Sequence, residues 1–366
     1  PVEARAYFEQ AQRLLESRAQ REKGNVQAQR DLSVGYNKLG DTYLESDPPK
    51  ARQWYMKAFA LSEKLSSQSR DNAELKRDLS IAHEKLGDLD HIVGDIASAR
   101  QHYLASRKLS EELVAQSESN MLAKRDLSVC LEKLGHLSLE VQELEEARAS
   151  FEKALKLRQV LAQKDRINVL AGLDLVVAHA QLGFVDLEER KYPEAKKRFV
   201  DALDRLHLLN AEDRLKEDPR FLGWKTTLTG QIQFCENVEK SLKDLSFALN
   251  RKSEESQGLL EARAQVLARQ GKHALAAETI EELVALKISG ANHLYNAACA
   301  YARCSLATKE AALIEKYGKR AVELLQQAVQ AGFKDLEHMK RDRELTPIRK
   351  RSDFQAWMKK LNSGTK

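Results

Sequence analysis

Apolar positions recur through the first two hundred residues in one pattern, written four times. In its clearest copy the stripe is Leu127, Leu131 and Leu134, followed by Ala147, Phe151 and Ala154, each set spaced at four and then three residues. Those intervals place side chains on one face of an α-helix, so each copy predicts two amphipathic helices joined by a short turn. The second helix returns as Ala51, Tyr55 and Ala58, as Ala99, Tyr103 and Ser106, and as Ala195, Phe199 and Ala202. Asn25, Asn72, Asn120 and Asn168 precede the first helices. They are expected N-caps, because the Asn side-chain oxygen accepts from an unpaired amide of the first turn.

Polar positions keep the same period. Arg30-Asp31-Leu32-Ser33, Arg77-Asp78-Leu79-Ser80 and Arg125-Asp126-Leu127-Ser128 open successive copies 47 or 48 residues apart, and the fourth is worn to Leu173-Asp174-Leu175. Seven residues after each Asp comes Lys38-Leu39-Gly40, Lys85-Leu86-Gly87, Lys133-Leu134-Gly135 or Gln181-Leu182-Gly183. A fixed period of this length denotes stacked supersecondary units. Glycine inside a helix costs about 1 kcal/mol relative to alanine. Gly40, Gly87, Gly135 and Gly183 therefore predict close approach of the helices that begin at Ala51, Ala99, Ala147 and Ala195.

Leu-Gly, then Ala eleven or twelve residues on, an aromatic four beyond it and a small residue three further, resembles the tetratricopeptide repeat. The resemblance implies an all-α fold, a right-handed superhelical solenoid of antiparallel helix pairs. The usual period is about 34 residues, so each helix here is expected to gain about two turns, roughly 10 Å. Residues 3–11 align with 146–154, so the chain is expected to open on the second helix of a pair, as a piece of a longer polypeptide. The expected organisation is a repeat region over 1–205, a bridging helical segment over 206–253 and a C-terminal module of similar hairpins over 254–366. Asp218-Pro219 predicts a helix start, Gly271 a turn, and Leu306–Glu315 a long connection within the last hairpin. That hairpin, with Ala297-Ala298-Cys299-Ala300-Tyr301-Ala302, Ala331-Gly332-Phe333, Leu345-Thr346-Pro347-Ile348 and Ser352-Asp353-Phe354, resembles the C-terminal repeats of planctomycete-type bacterial serine/threonine protein kinases. The second resemblance implies repeats that bind partners or regulate a kinase domain in the same polypeptide.

Composition narrows this picture. The 366 residues carry a formal charge of +5, and residues 334–366 hold ten Lys or Arg against five Asp or Glu. A neutral body with a basic end lacks the continuous basic stripe of nucleic-acid binders, so no nucleic-acid partner is expected. No apolar run approaches the ~18 residues of a membrane span; no membrane partner is expected, and the expected location is cytoplasmic. Cys130, Cys235, Cys299 and Cys304 lack CxxC spacing and are expected as small buried apolar residues.

Arg-Asp-Leu invites comparison with a kinase catalytic loop, which needs His before Arg and Asn five after Asp. Tyr36, His83 and Leu131 stand at the latter place, and no Asp-Phe-Gly occurs. The motif is therefore expected to be scaffold, a solvated charge or an inter-repeat ion pair, and this chain is expected to be non-catalytic and without a cofactor. The nine histidines form no HxxxH, so no metal is expected; His83 and His179 read as packed core histidines, and Trp54, Trp224 and Trp357 as packing residues.

Function is expected on the side of the first helices, which the tetratricopeptide resemblance places on a concave face. The positions expected to be exposed there fall three before, one after and four after each glycine. These are Asn37, Asp41 and Leu44; Glu84, Asp88 and His91; Glu132, His136 and Leu139; and Ala180, Phe184 and Leu187. They include carboxylates but no Lys or Arg, although Lys38, Lys85 and Lys133 stand close enough to fold back. Asn37, Asp41, Glu84, Asp88, His91, Glu132, His136 and Phe184 are the expected binding residues. Charge complementarity then favours a basic or amphipathic protein or peptide segment. The expected role is an interaction and scaffolding region of a signalling kinase; a free-standing adaptor or a self-association module is the alternative.

Overall fold

Four apolar stripes with capped starts become four helix pairs in the computed structural model, which describes residues 2–165, 168–210, 215, 217–286 and 290–363. Among the described residues there are seventeen α-helices, one short 3-10 turn and no strand. The chain divides into two units, Pro1–Val185 with Val200–Lys225, and Asp186–Phe199 with Thr226–Lys366.

The first unit begins with α1 (Val2–Arg21), α2 (Val26–Tyr43), α3 (Pro48–Gln68), α4 (Ala73–Ile92), α5 (Ile96–Gln116), α6 (Met121–Glu140) and α7 (Leu144–Lys164). Next in the chain come α8 (Val169–Glu188) and α9 (Tyr192–Leu209). These helices run 18 to 21 residues, roughly 30 Å each, as the extended period requires. Asn25, Asn72, Asn120 and Asn168 each accept from first-turn amides, so all four expected caps form. Asp47 and Asp95 cap α3 and α5 in the same way.

The mid-helix glycines are explained by what lies against them. A Cβ added at Gly87 would stand 2.6 Å from the Tyr103 ring, and one at Gly135 would stand 2.5 Å from Phe151; Gly40 meets Tyr55 likewise. Each ring also packs forward on the next pair. Tyr55 clusters with Leu86 and Leu89, Tyr103 with Leu134 and Leu137, and Phe151 with Leu182 and Val185. These rings are at most 2% exposed, and Ala51, Ala99 and Ala147 beside them are fully buried. Gly183 and Ala195 are buried as well. By contrast Phe8, which aligns with Phe151, is 39% exposed on α1.

α8 departs from one expectation. It is the one described helix whose length and composition would suit a membrane span, a property the sequence reading did not register. Its apolar window is 61% buried inside the protein, and Leu182 and Val185 take part in the cluster around Phe151. That is the environment of a core helix.

The remaining helices are α10 (Pro219–Lys243), α11 (Leu245–Leu249), α12 (Ser253–Arg269), α13 (His273–Ala285), α14 (Ala291–Leu306), α15 (Ala311–Gln330), α16 (Leu336–Arg341) and α17 (Ser352–Ser363). In the second unit Gly271 turns between α12 and α13 at φ +74°, a conformation that favours glycine. The connection of the last hairpin is shorter than expected, residues 307–310, because α15 starts at Ala311 behind Glu310. The basic end is folded, with Met339, Leu345 and Ile348 fully buried. Arg351 pairs with both Glu315 and Asp353, so part of the positive charge is consumed internally.

Gly87→Leu is expected to lower unfolding stability by about 2–4 kcal/mol through overpacking against Tyr103. A chemical denaturation series checks this, and an unchanged midpoint would mean that α4 and α5 do not cross at Gly87.

Candidate interaction face

Two ladders of polar contacts run from pair to pair across the first helices. The first is built from Arg-Asp-Leu. Arg30 reaches Asp78 at 2.6 Å, Arg77 reaches Asp126 at 2.5 Å, and Arg125 reaches Asp174 at 3.5 Å. Arg18 supplies the step before them, 2.9 Å from Asp31. The motif that looked most like chemistry is thus an inter-repeat ion pair. Being partly exposed, each contact contributes up to about 1 kcal/mol.

The second ladder uses the residues around Lys-Leu-Gly. Asp41 accepts from the Tyr55 hydroxyl at 2.7 Å and from Lys85 of the following pair at 2.8 Å. Asp88 accepts from Tyr103 at 2.8 Å and from Lys133 at 2.6 Å. Lys133 also lies 3.0 Å from Glu84. Burial alone would favour its neutral form, but these two carboxylates outweigh that and raise its pKa. One step on, the chemistry changes as a set: His136 replaces Asp, Phe151 replaces Tyr and Gln181 replaces Lys. Gln181 donates to Glu132 at 2.6 Å and lies 3.0 Å from His136, whose ring stands edge-on to Phe151 with centroids 5.2 Å apart.

These contacts correct the expected exposure. Asn37 is buried and Ala180 fully so; the Glu84 and Glu132 side chains are only 19% and 22% exposed. A residue three before the glycine lies about 60° from it around the helix, near the packed side, and Lys133 and Gln181 of the following pair reach across Glu84 and Glu132. Asp41, His91 and His136 keep open surface, whereas Asp88 is mostly covered and Phe184 is half-buried. His91 is 2.7 Å from Glu140. Lys85 and Lys133 do fold back, so the face is far less acidic than its carboxylates suggest.

Glu132 is the carboxylate of this ladder whose titration is clearly shifted. Burial would raise its pKa, but the His136 ring 3.7 Å away and the charge and hydrogen bond of the buried Arg158 guanidinium bring it down to about 2. A carboxylate held in this way is a structural anion and not a proton donor near neutrality.

Other chemistry-bearing residues fall into two sets. Cys299, Asp342 and Glu344 offer ligand atoms within 4.8 Å of one another. Arg269 and Arg303 both pair with Glu344, and Tyr295 donates to Asp342 at 2.6 Å. Two guanidiniums on the same carboxylate oppose a cation there, and burial pushes the Cys299 thiol well up. All four cysteines are buried, as expected. The other set is the pairing of His83 of α4, expected as a packed core histidine, with His102 of α5, which sequence does not show because the two residues lie 19 apart on different helices. Their Nδ1 atoms are 3.0 Å apart. A signal existed in the repeat alignment: they occupy the places of Tyr36 and Trp54, whose rings stack at 5.8 Å.

No known family matches the chain, and no curated protein matches it. Among solved structures it is similar to the apo form of RapI, with 13% identity over 82% of this chain and 97% of that one, at a TM-score of 0.45. A tetratricopeptide repeat protein from Parabacteroides merdae shows 14% identity over 86% and 98%, at a TM-score of 0.36. BtubC from P. vanneervenii shows 16% identity over 80% and 93%, at a TM-score of 0.38. The fold assignment, tetratricopeptide-like helix pairs, rests on the chain's own glycine–aromatic contacts.

Glu132 has an ordinary value of 4.5 and a folded value of about 2. The stability it contributes is therefore complete above 4.5 and is lost as the pH falls through that interval. Arg158→Met is expected to destabilise the protein by about 3 kcal/mol at neutral pH and to flatten the decline between those values. Urea midpoints measured across that acid range test both; parallel curves for variant and wild type would show that Arg158 does not hold Glu132 charged.

Proposed function

We propose that this chain is a non-catalytic protein-interaction scaffold whose first-helix side in the first unit receives a partner segment. The observation supporting this is a division of labour within the repeat. Glycine, aromatic, Arg, Asp and Asn positions are consumed by packing, ladders and caps. The side chains that keep open surface on this side differ from pair to pair: Asp41 and His136, which also take part in the second ladder, and His91, with half-buried Leu44, Leu139 and Phe184 between. Such a surface discriminates partners by shape and local chemistry.

The partner is an amphipathic peptide segment in preference to a uniformly basic one. Lys85 pairs with Asp41, and Lys133 with both Asp88 and Glu84, so added cations would compete with bonds already made. The half-buried Leu44, Leu139 and Phe184 on this side favour a partner helix with one apolar face. The C-terminal resemblance supports a second level of this proposal. The chain would be the regulatory or partner-binding region of a larger bacterial serine/threonine kinase, with the kinase domain itself a candidate partner.

Affinity capture followed by titration of the captured protein tests the face. A variant carrying Asp41→Ala, His91→Ala, His136→Ala and Phe184→Ala is expected to bind at least about tenfold more weakly, about 1.4 kcal/mol, with unchanged helical circular dichroism. Equal affinity would remove the first-helix side from consideration, and capture of a second copy of this chain alone would replace the scaffold reading with self-association.

A further inference from the structure

The structure assigns one more site: we propose that His83 and His102 bind a late first-row divalent cation such as Zn²⁺ through their Nδ1 atoms. The α4–α5 hairpin brings these atoms to 3.0 Å. Two imidazole nitrogens on a tetrahedral zinc, each about 2.0–2.1 Å from the metal, stand about 3.3 Å apart. Widening that gap by a few tenths of an ångström and turning both rings until their lone pairs converge on one point converts the pair into two metal ligands, with water completing the shell. The His102 side chain is 27% exposed, which leaves a path for the ion and those waters.

The outer surroundings match the same chemistry. On the far side of the His102 ring, Nε2 faces Asp90 Oδ2 at 3.7 Å. Asp90 is 1% exposed, and its Oδ2 has no hydrogen-bond partner within ordinary distance; its other oxygen is held by Arg52 at 2.6 Å. A buried carboxylate behind an imidazole stabilises the Nε2–H tautomer and directs the Nδ1 lone pair outward, the arrangement that orients metal-bound histidines. His83 is held edge-on by Phe59 of α3, with ring centroids 4.9 Å apart.

The fold does not require histidines at this place. The equivalent positions hold a stacked Tyr36 and Trp54 in the first pair, Leu131 and Ser150 in the third, and His179 and Arg198 in the fourth. Among the four pairs, α4 and α5 alone place an imidazole at both positions. Without an ion, one Nδ1 must carry a hydrogen for the pair to bond; with Asp90 favouring Nε2–H on His102, that hydrogen resides on His83. The ion replaces this shared hydrogen, and His83 takes up a proton on Nε2.

Calorimetric titration of the whole chain with Zn²⁺ near neutral pH tests the site. Wild type is expected to bind one equivalent that His83→Gln and His102→Gln each weaken at least about tenfold, while Asp90→Asn weakens it about 10–100-fold. Nitrogen-15 spectra of the wild-type histidines provide a reading that survives misfolding of any variant. Zn²⁺ should shift both Nδ1 resonances and leave both Nε2 atoms protonated. Absence of binding at about 100 μM Zn²⁺, or wild-type affinity in either Gln variant, would overturn the proposal, as would spectra placing the ion on any of the other seven histidines.

Discussion

A single aromatic ring per repeat sets two distances at once. Tyr55, Tyr103 and Phe151 each lie against the glycine of their own pair and against apolar residues of the next. The first contact fixes how closely two helices of a pair can approach, and the second fixes how the pairs stack. Because one side chain does both, neither distance can change alone. The glycine follows as a requirement, since any Cβ would occupy the ring's space, and its intrinsic helix penalty of about 1 kcal/mol is outweighed by burial of an entire ring, roughly 2–3 kcal/mol.

The polar ladders are subordinate to that ring, and the third repeat shows how. Tyrosine gives Asp41 and Asp88 a hydroxyl donor, and a lysine from the next pair supplies the balancing charge. Where the ring is Phe151, no hydroxyl exists, and an aspartate at 136 would lose its donor. The chain has His136 there, which packs its ring edge on Phe151, and Gln181, which satisfies Glu132 and His136 without adding charge. Three residues on three helices have changed together because they answer one hydroxyl. Partly exposed ion pairs of this kind contribute little each, so their effect is on register: a slip of one residue would break every rung.

Period, caps and glycine contacts were legible in the sequence because each depends on spacing within one or two helices. The inter-repeat role of Arg30, Arg77 and Arg125 was half legible, since a motif repeated with the period either faces solvent or meets its neighbour. The exposure of Asn37, Glu84 and Glu132 was misjudged because it depends on the reach of Lys133, Gln181 and Arg158, and side-chain reach across a repeat boundary is not written in spacing. The convergence of His83 and His102 was hidden for a related reason. Helical phase across a turn decides which side chains meet, and the turn between α4 and α5 has to be built before that phase is known. The apolarity of α8 was also missed, because Asp174 interrupts it near the start while residues 175–185 carry no Asp, Glu, Lys or Arg.

Repetition also indicates where function is written. A residue common to all pairs is explained by what every pair needs, which here is a ring, a glycine, a cap and a rung. A combination that appears in one pair only has no such explanation, and α4 and α5 carry the sharpest instance: His83 meets His102, with Asp90 behind His102 and Arg52 of α3 holding Asp90. Asp90 directly precedes His91, whose ring bonds Glu140 of the following pair on the side proposed to meet a partner. An ion bridging α4 and α5 would tie together the helices that position Asp90 and therefore His91. The two proposed sites thus share a backbone segment, and occupancy of one would restrict the conformations available to the other. Coupling of that kind needs only a hairpin stiffened beside a binding face, without a change of fold.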